Sequence, residues 1–117
     1  MAKKILIIDD DDDIRTFLET LFKKEGYETV AASNGVAGLE IMKRENPDLV
    51  TLDLQMPQNT GTDFYRKLRR DDKYKNVPII VISGLPGRHL ALPEPFAVFD
   101  KPIDKDTLIE KAREALA

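Results

Sequence analysis

Residues 4–13 read KILIIDDDDD, and this segment decides the fold class. An unbroken run of four aliphatic residues at 5–8, rich in β-branched isoleucine, is typical of a strand that is covered on both faces. Similar runs occur at residues 49–52 and 79–82. These three segments predict the central strands of a parallel sheet buried between two layers of helices.

Amphipathic stretches separate these runs. Residues 27–31 and 96–99 are less uniformly aliphatic and predict strands nearer the edges of the sheet. Apolar residues at helical spacing predict four helices: residues 14–22 (Ile14, Phe17, Leu18, Leu21, Phe22), a helix capped by Asn34 (Val36, Leu39, Met42), residues 62–70 (Phe64, Tyr65, Leu68), and a helix capped by Asp104 (Leu108, Ile109, Ala112, Leu116). The alternation predicts an α/β fold, a doubly wound sheet with helices on both faces.

One segment departs from the alternation. A helix is due at residues 84–95, but this stretch contains Pro86, Pro93 and Pro95 as well as Gly84 and Gly87. Proline removes a backbone donor and clashes inside a helix. We therefore predict that the fourth helix of a regular doubly wound domain is short or absent here.

Length and composition restrict the function. The 117 residues suffice for one domain, which we expect to span residues 1–117. The chain has no cysteine, a formal net charge of −3 and no long basic run, which excludes thiolate chemistry and argues against direct nucleic-acid binding. Its apolar runs are too short for membrane insertion. We expect a cytoplasmic protein of a single domain.

The predicted strands end in residues that suit metal and phosphate chemistry. Asp9 and Asp10 end the first strand, Asp53 the third, Ser83 the fourth, and Lys101 follows the fifth. Ligands of open α/β sheets bind beyond the carboxyl ends of the strands. Crowded carboxylates favour Mg²⁺, a carboxylate can act as a nucleophile, and a hydroxyl with an ammonium can stabilise phosphoryl oxygens. The pattern predicts a site for Mg²⁺ and a phosphoryl group.

Other interpretations of single motifs are weaker. Residues 11–13 fit a solvated first turn of a helix, where the helix dipole favours acidic groups. A calcium-binding loop starting at Asp9 would need glycine and glutamate where the chain has Ile14 and Thr20. His89, the only histidine, fits an ordinary loop residue.

Taken together, these motifs resemble the receiver domain of two-component response regulators over essentially the whole chain. The motifs that carry the resemblance are residues 4–10 with Ile14-Arg15, residues 52–57 with Gly61, residues 82–84, and Lys101-Pro102. The resemblance implies a flavodoxin-like sheet with five parallel strands in the order 2-1-3-4-5. It also implies a histidine kinase or a histidine phosphotransfer protein as the partner, with a downstream output partner that the sequence does not identify.

The resemblance implies a role for each site residue. Asp53 would accept the phosphoryl group and, with Asp10, bind Mg²⁺ directly, while Asp9 would bind it mainly through water. The backbone carbonyl of Gln55 would complete the protein ligands.

Ser83 would donate a hydrogen bond to the phosphoryl group, and Lys101 would form an ion pair with it. The Lys101–Pro102 peptide bond would be cis. Family members commonly catalyse their own phosphorylation and dephosphorylation, so enzymatic activity in this restricted sense is implied.

Two departures and two alternatives accompany this interpretation. Val98 occupies the position where the family usually has an aromatic switch residue, and the proline-rich segment disrupts the fourth helix. One alternative is a haloacid-dehalogenase-type phosphohydrolase, with Asp9 as nucleophile, Asp11 as acid/base, and Ser83 and Lys101 binding phosphate. The other is a degenerate receiver that acts only as a binding module.

Overall fold

The computed structural model describes residues 2–56, 58, 60–83 and 95–117, and it shows a parallel sheet between two helical layers. The elements within these ranges are β1 (Lys4–Ile8), α1 (Asp12–Lys24), β2 (Glu28–Ala32), α2 (Gly35–Glu45), β3 (Leu49–Asp53), α3 (Thr60–Arg70), β4 (Ile79–Ser83), β5 (Ala97–Asp100) and α4 (Lys105–Leu116). The sheet order is β2-β1-β3-β4-β5, and every pairing is parallel. The predicted fold class and strand order are confirmed.

Two separate core layers explain the apolar runs of the central strands. Leu6 and Ile8 point towards α2 and α3, where they join a cluster with Met42 and Phe64. Ile5 and Ile7 point the opposite way and join the Leu18, Phe22 and Leu108 side chains of α1 and α4. Because successive side chains of a strand alternate between faces, a strand buried on both faces is apolar at most of its positions.

The helix ends follow local capping rules. Asp11 caps α1 by accepting from the backbone N–H groups of Asp13 and Ile14, so the predicted acidic first turn is confirmed. Asn34 caps α2 through Ala37, and Asp104 caps α4, as predicted. After α1 the chain turns at Gly26 with φ 92°, a conformation that favours glycine.

Several element boundaries, and the burial of two apolar side chains, differ from the predictions. Strands β2 and β5 each lie one residue later than predicted, and α1 and α3 begin earlier. Phe17 and Val36 fit the apolar faces of α1 and α2 by spacing, yet they are 44% and 62% exposed. Each lies at the margin of its apolar stripe, where spacing alone does not decide burial.

The fourth helix is expected to be short or absent at residues 84–95. Residues 84–94, which include His89, lie outside the described residues. Within the described ranges, no helix combines the length and apolar character needed to cross a bilayer.

Candidate functional site

Three carboxylates meet at the carboxyl edge of the central strands. Strand β1 runs directly into Asp9 and Asp10, and Asp53 is the last residue of β3. Because Ile8 pairs with Leu52 across the two strands, Asp9 and Asp53 occupy neighbouring positions just beyond that pair. One oxygen atom from each of Asp9, Asp10 and Asp53 lies within 4.8 Å of the other two.

Lys101 supplies the positive charge of this cluster. Its ammonium nitrogen lies 3.5 Å from Oδ2 of Asp9 and 3.5 Å from Oδ2 of Asp53. The backbone N–H of Lys101 donates to the carbonyl of Ser83, which extends the β4–β5 pairing and sets the direction of the lysine. The Lys101–Pro102 peptide bond is cis, as the resemblance implied.

Asp9 is almost fully buried, and its surroundings perturb its titration. Burial raises the pKa of the Asp9 carboxyl to about 6, and the nearby charges of Asp53 and Asp10 act in the same direction. The N–H of Asp11, which donates to Oδ1, and the ammonium of Lys101 oppose this rise in pKa. Three acidic side chains thus lie beside the single ammonium group of Lys101.

The donors of this site fit Mg²⁺. Hard divalent cations of this kind prefer oxygen ligands, and the three clustered side chains offer only carboxylate oxygens. The buried Oδ2 atom of Asp9 accepts no hydrogen bond within the described part of the chain, so a buried charge lacks a full set of partners. A bound cation would satisfy this oxygen and relieve the mutual repulsion of the carboxylates.

Local backbone contacts hold Asp53 in place. The N–H of Gln55 donates to Oδ1 of Asp53 over 2.9 Å, and the N–H of Leu54 donates to the carbonyl of Ile82. Helix α3 approaches closely, because a Cβ atom added at Gly61 would lie 2.5 Å from the carbonyl oxygen of Asp53. Glycine at this position therefore lets α3 pack directly against the end of β3.

The sequence-predicted site residues converge as expected. Asp9, Asp53 and Ser83 are buried at the same sheet edge, with exposed Asp10 and partly exposed Lys101 beside them. The roles of these residues, and that of the Gln55 carbonyl as a metal ligand, stay predictions. Asp11, the acid/base of the dehalogenase alternative, instead uses its carboxylate to cap α1.

Sequence reasoning gave no separate role to Arg15. One guanidinium nitrogen of Arg15 donates to the backbone carbonyl of Asp9 over 2.6 Å, and the other pairs with Asp12. The i, i+3 spacing of Asp12 and Arg15 indicates their ion pair. No sequence pattern indicates the contact with the carbonyl, because it depends on the path of the turn.

Val98 and Phe99 lie on opposite faces of β5, because successive side chains of a strand alternate. Val98 packs with the α2/α3 layer, beside its partner Val81 on β4, whereas Phe99 packs with the α1/α4 layer. Alternation along β4 places Ser83 on the same side of the sheet as Val81. An aliphatic side chain therefore stands on the Ser83 side, and the adjacent aromatic ring is directed away from it.

A sheet of order 2-1-3-4-5, with three carboxylates and a lysine at its carboxyl edge, is the arrangement of a phosphoacceptor domain of the receiver class. The family model described as response regulator receiver domain matches residues 5–113, and the chain belongs to this family. Phosphoacceptor signalling in two-component systems is the function of this class.

Known proteins support this assignment. The chain is 34% identical to protein Rrf1 of Nitratidesulfovibrio vulgaris over 117 residues, covering 100% of this chain and 85% of that protein. It is 39% identical to sporulation initiation phosphotransferase F of Bacillus subtilis over 84 residues, covering 72% of this chain and 66% of that protein. The crystal structure of a CheY-like response regulator receiver domain protein from Methanospirillum hungatei is similar, with a TM-score of 0.89 and 27% identity over 99% of this chain and 94% of that one.

Proposed function

We propose that Asp53 is the phosphoacceptor of this domain. The observation that carries the proposal is the contact of its buried carboxylate with the Lys101 ammonium, at 3.5 Å, inside a cluster with Asp9 and Asp10. An aspartate in this environment is oriented by backbone contacts and faces a fixed positive charge. Both properties suit a carboxylate nucleophile, because positioning and charge stabilisation supply most of the catalysis in phosphoryl transfer.

The phosphoryl donor is a phosphohistidine of a histidine kinase or a histidine phosphotransfer protein. A carboxylate oxygen of Asp53 forms a bond to phosphorus while the bond between phosphorus and the imidazole nitrogen breaks. The bonding electrons stay on the imidazole nitrogen, which takes up a proton. The product is an acyl phosphate on Asp53 and a neutral histidine on the donor.

The other site residues stabilise charge during this step. Lys101 faces Asp53 and neutralises negative charge on the transferred group, and the Ser83 hydroxyl donates a hydrogen bond to one of its oxygens. Asp9, Asp10, Asp53 and the Gln55 carbonyl would hold Mg²⁺, which withdraws electron density from the phosphoryl oxygens when it is bound. Attack of water on phosphorus would break the bond to the Asp53 oxygen, release inorganic phosphate and restore the free carboxylate.

Phosphorylation changes the binding of a downstream partner in this proposal, and the domain acts in the cytoplasm. The cytoplasmic location follows from the phosphoryl donor, because phosphohistidine is formed from ATP inside the cell.

Intact-mass spectrometry tests the acceptor assignment. Incubation with acetyl phosphate and MgCl₂ should add one phosphoryl mass to the protein, and Asp53→Asn should abolish the addition. Asp72→Asn is a matched control, since Asp72 is exposed and, among the described residues, forms an ion pair with Lys75 alone. If Asp53→Asn retains the added mass on another residue, Asp53 is not the acceptor.

A second assay separates this function from a phosphohydrolase. Repeated turnover of p-nitrophenyl phosphate that is lost in Asp9→Asn and kept in Asp53→Asn would establish the dehalogenase-type alternative. A wild-type protein that folds but accepts no phosphoryl group and binds no Mg²⁺ would instead be a degenerate receiver.

A further inference from the structure

Arg15 links helix α1 to the backbone of the acidic cluster. Its Nη1 donates to the carbonyl oxygen of Asp9 over 2.6 Å, and its Nη2 pairs with the carboxylate of Asp12. The Arg15 side chain is only 18% exposed, whereas that of Asp12 is 87% exposed. The guanidinium therefore lies mainly beneath the β1–α1 turn and not along the surface of the helix.

The contacted carbonyl is part of the peptide unit that joins the two acidic residues. The carbonyl of Asp9 and the N–H of Asp10 lie in one plane, because the peptide bond is planar. A contact that orients this carbonyl also orients the Cα atom of Asp10, from which the Asp10 carboxylate projects. Arg15 thus acts on the relative direction of both carboxylates without touching either of them.

Asp9 and Asp10 depend on this contact to different degrees. Asp9 makes two further hydrogen bonds. Its N–H donates to the carbonyl of Ala32 over 3.2 Å, and its Oδ1 accepts from the N–H of Asp11 over 2.9 Å. The exposed Asp10 side chain makes no hydrogen bond with any other described residue. The direction of the Asp10 carboxylate therefore depends on the backbone that carries it.

We propose that Arg15 is a positioning residue for the Mg²⁺ site, acting through the Asp9–Asp10 peptide unit. The inference rests on the proposed function, because it concerns the same cluster of carboxylates. Partners that orient metal ligands commonly raise metal affinity although they lie outside the ligand set. By holding the peptide unit in place, Arg15 keeps the Asp10 carboxylate directed towards Asp9 and Asp53 before the metal arrives.

The planar shape of the guanidinium explains why arginine suits this position. Its fork reaches the carbonyl of Asp9 with one nitrogen and the carboxylate of Asp12 with the other. A lysine offers a point charge on a flexible stem and can reach the carbonyl without the second fixed contact. A purely helical role would need only the Asp12 pair, and exposed pairs of that kind contribute little.

Titration of the unphosphorylated protein with MgCl₂, followed by amide chemical shifts, tests the inference. Arg15→Gln should raise the Mg²⁺ dissociation constant about tenfold, which is the lower end of the usual loss of metal affinity when such a partner is removed. Arg15→Lys should restore part of that affinity. At saturating MgCl₂ the rate of phosphorylation by acetyl phosphate should return close to the wild-type value, because Arg15 acts through metal binding.

Arg113→Gln is the matched control, because Arg113 also pairs with a carboxylate, that of Glu25, outside the acidic cluster. It should leave the Mg²⁺ affinity unchanged. If Arg15→Gln lowers the melting temperature in EDTA but binds Mg²⁺ like the wild type, Arg15 is only a structural residue and the inference is wrong. Should Arg15→Gln not fold, a wild-type Mg²⁺ affinity in Arg15→Lys overturns it.

The results distinguish failure of the Arg15 positioning role from failure of the proposed function. Phosphoryl uptake on Asp53 with unchanged Mg²⁺ affinity in both Arg15 variants would overturn the positioning role alone. A wild-type protein that neither binds Mg²⁺ nor accepts a phosphoryl group would overturn the proposed function, and the positioning role with it.

Discussion

The ammonium of Lys101 lies equally close, at 3.5 Å, to carboxylate oxygens of Asp53 and Asp9. One cation thus serves both the proposed phosphoacceptor and a buried member of the metal cluster. The two carboxylates come from different strands, and the lysine comes from the end of a third.

Replacement of Lys101 by methionine should slow phosphorylation by acetyl phosphate about a hundredfold, the usual scale for loss of a group that stabilises transition-state charge. The rate is measured by intact mass at saturating MgCl₂. Lys111→Met is the control, since Lys111 forms an ion pair with Glu114 on the surface of α4, away from the acidic cluster. A rate unchanged by Lys101→Met would exclude a role for this ammonium in the transfer.

Mg²⁺ should stabilise the protein more at about pH 7.5 than at about pH 5. Burial raises the pKa of Asp9 to about 6 in the folded protein, so the folded state binds this proton more tightly than the unfolded chain does. The associated stability is complete below about pH 4 and is lost as the pH rises through about 6. A bound cation offsets the cost of the ionised carboxylate.

The measurement for this second prediction is the melting temperature with MgCl₂ and with EDTA at both pH values. Asp9→Asn should remove most of the pH dependence of the Mg²⁺ effect, because asparagine does not titrate. An equal Mg²⁺ effect at the two pH values in the wild type would contradict the raised pKa of Asp9.

Gly61→Ala should destabilise the fold by about 1–3 kcal/mol, as overpacking commonly does. The new methyl group would meet the carbonyl oxygen of Asp53 at 2.5 Å, so α3 must move away from the end of β3. Because Asp53 moves with that contact, phosphorylation should slow as well. Urea unfolding and intact-mass rates measure the two effects.

Gly26→Ala provides the contrast for Gly61. Gly26 has φ 92°, which strains any other residue, but its surroundings are open and it follows α1 away from the site. This variant should lose about 1 kcal/mol of stability with an unchanged phosphorylation rate. Equal rate losses in both glycine variants would mean that the Gly61 effect is not local.

Thr51→Val should stabilise the protein by about 1 kcal/mol, because a buried hydroxyl without a partner costs free energy. Thr51 is buried in β3, and its hydroxyl has no hydrogen-bond partner among the described residues. Urea unfolding measures the change in the free energy of unfolding. A loss of stability would show that the hydroxyl has a partner, such as an ordered water.

Much of this protein could be predicted from the sequence because its signals are local. An apolar run such as residues 5–8 forms a buried strand. Asn34 and Asp104 each cap the helix that begins at the next residue. Side chains that follow parallel strands meet at one edge of the sheet, so Asp9 and Asp53 were expected in one site. These inferences need only short-range geometry and the direction of the strands.

Relations between distant segments depend on the tertiary structure. Periodicity predicted a doubly wound sheet, but the order 2-1-3-4-5 came from the family resemblance and is confirmed by strand pairing. The exposure of Phe17 and Val36 depends on how far each neighbouring element extends over its helix, which spacing within the helix does not encode.

The sequence alone therefore determined which residues stand at the ends of the strands, because side-chain alternation and helix capping are properties of a few adjacent residues. Only the tertiary structure decided that Lys101 bridges Asp9 and Asp53, that Asp9 is buried enough to raise its pKa, and that Arg15 reaches the Asp9 carbonyl. Desolvation and charge interactions depend on distances across the fold, and those distances are set when the strands pair and the helices pack.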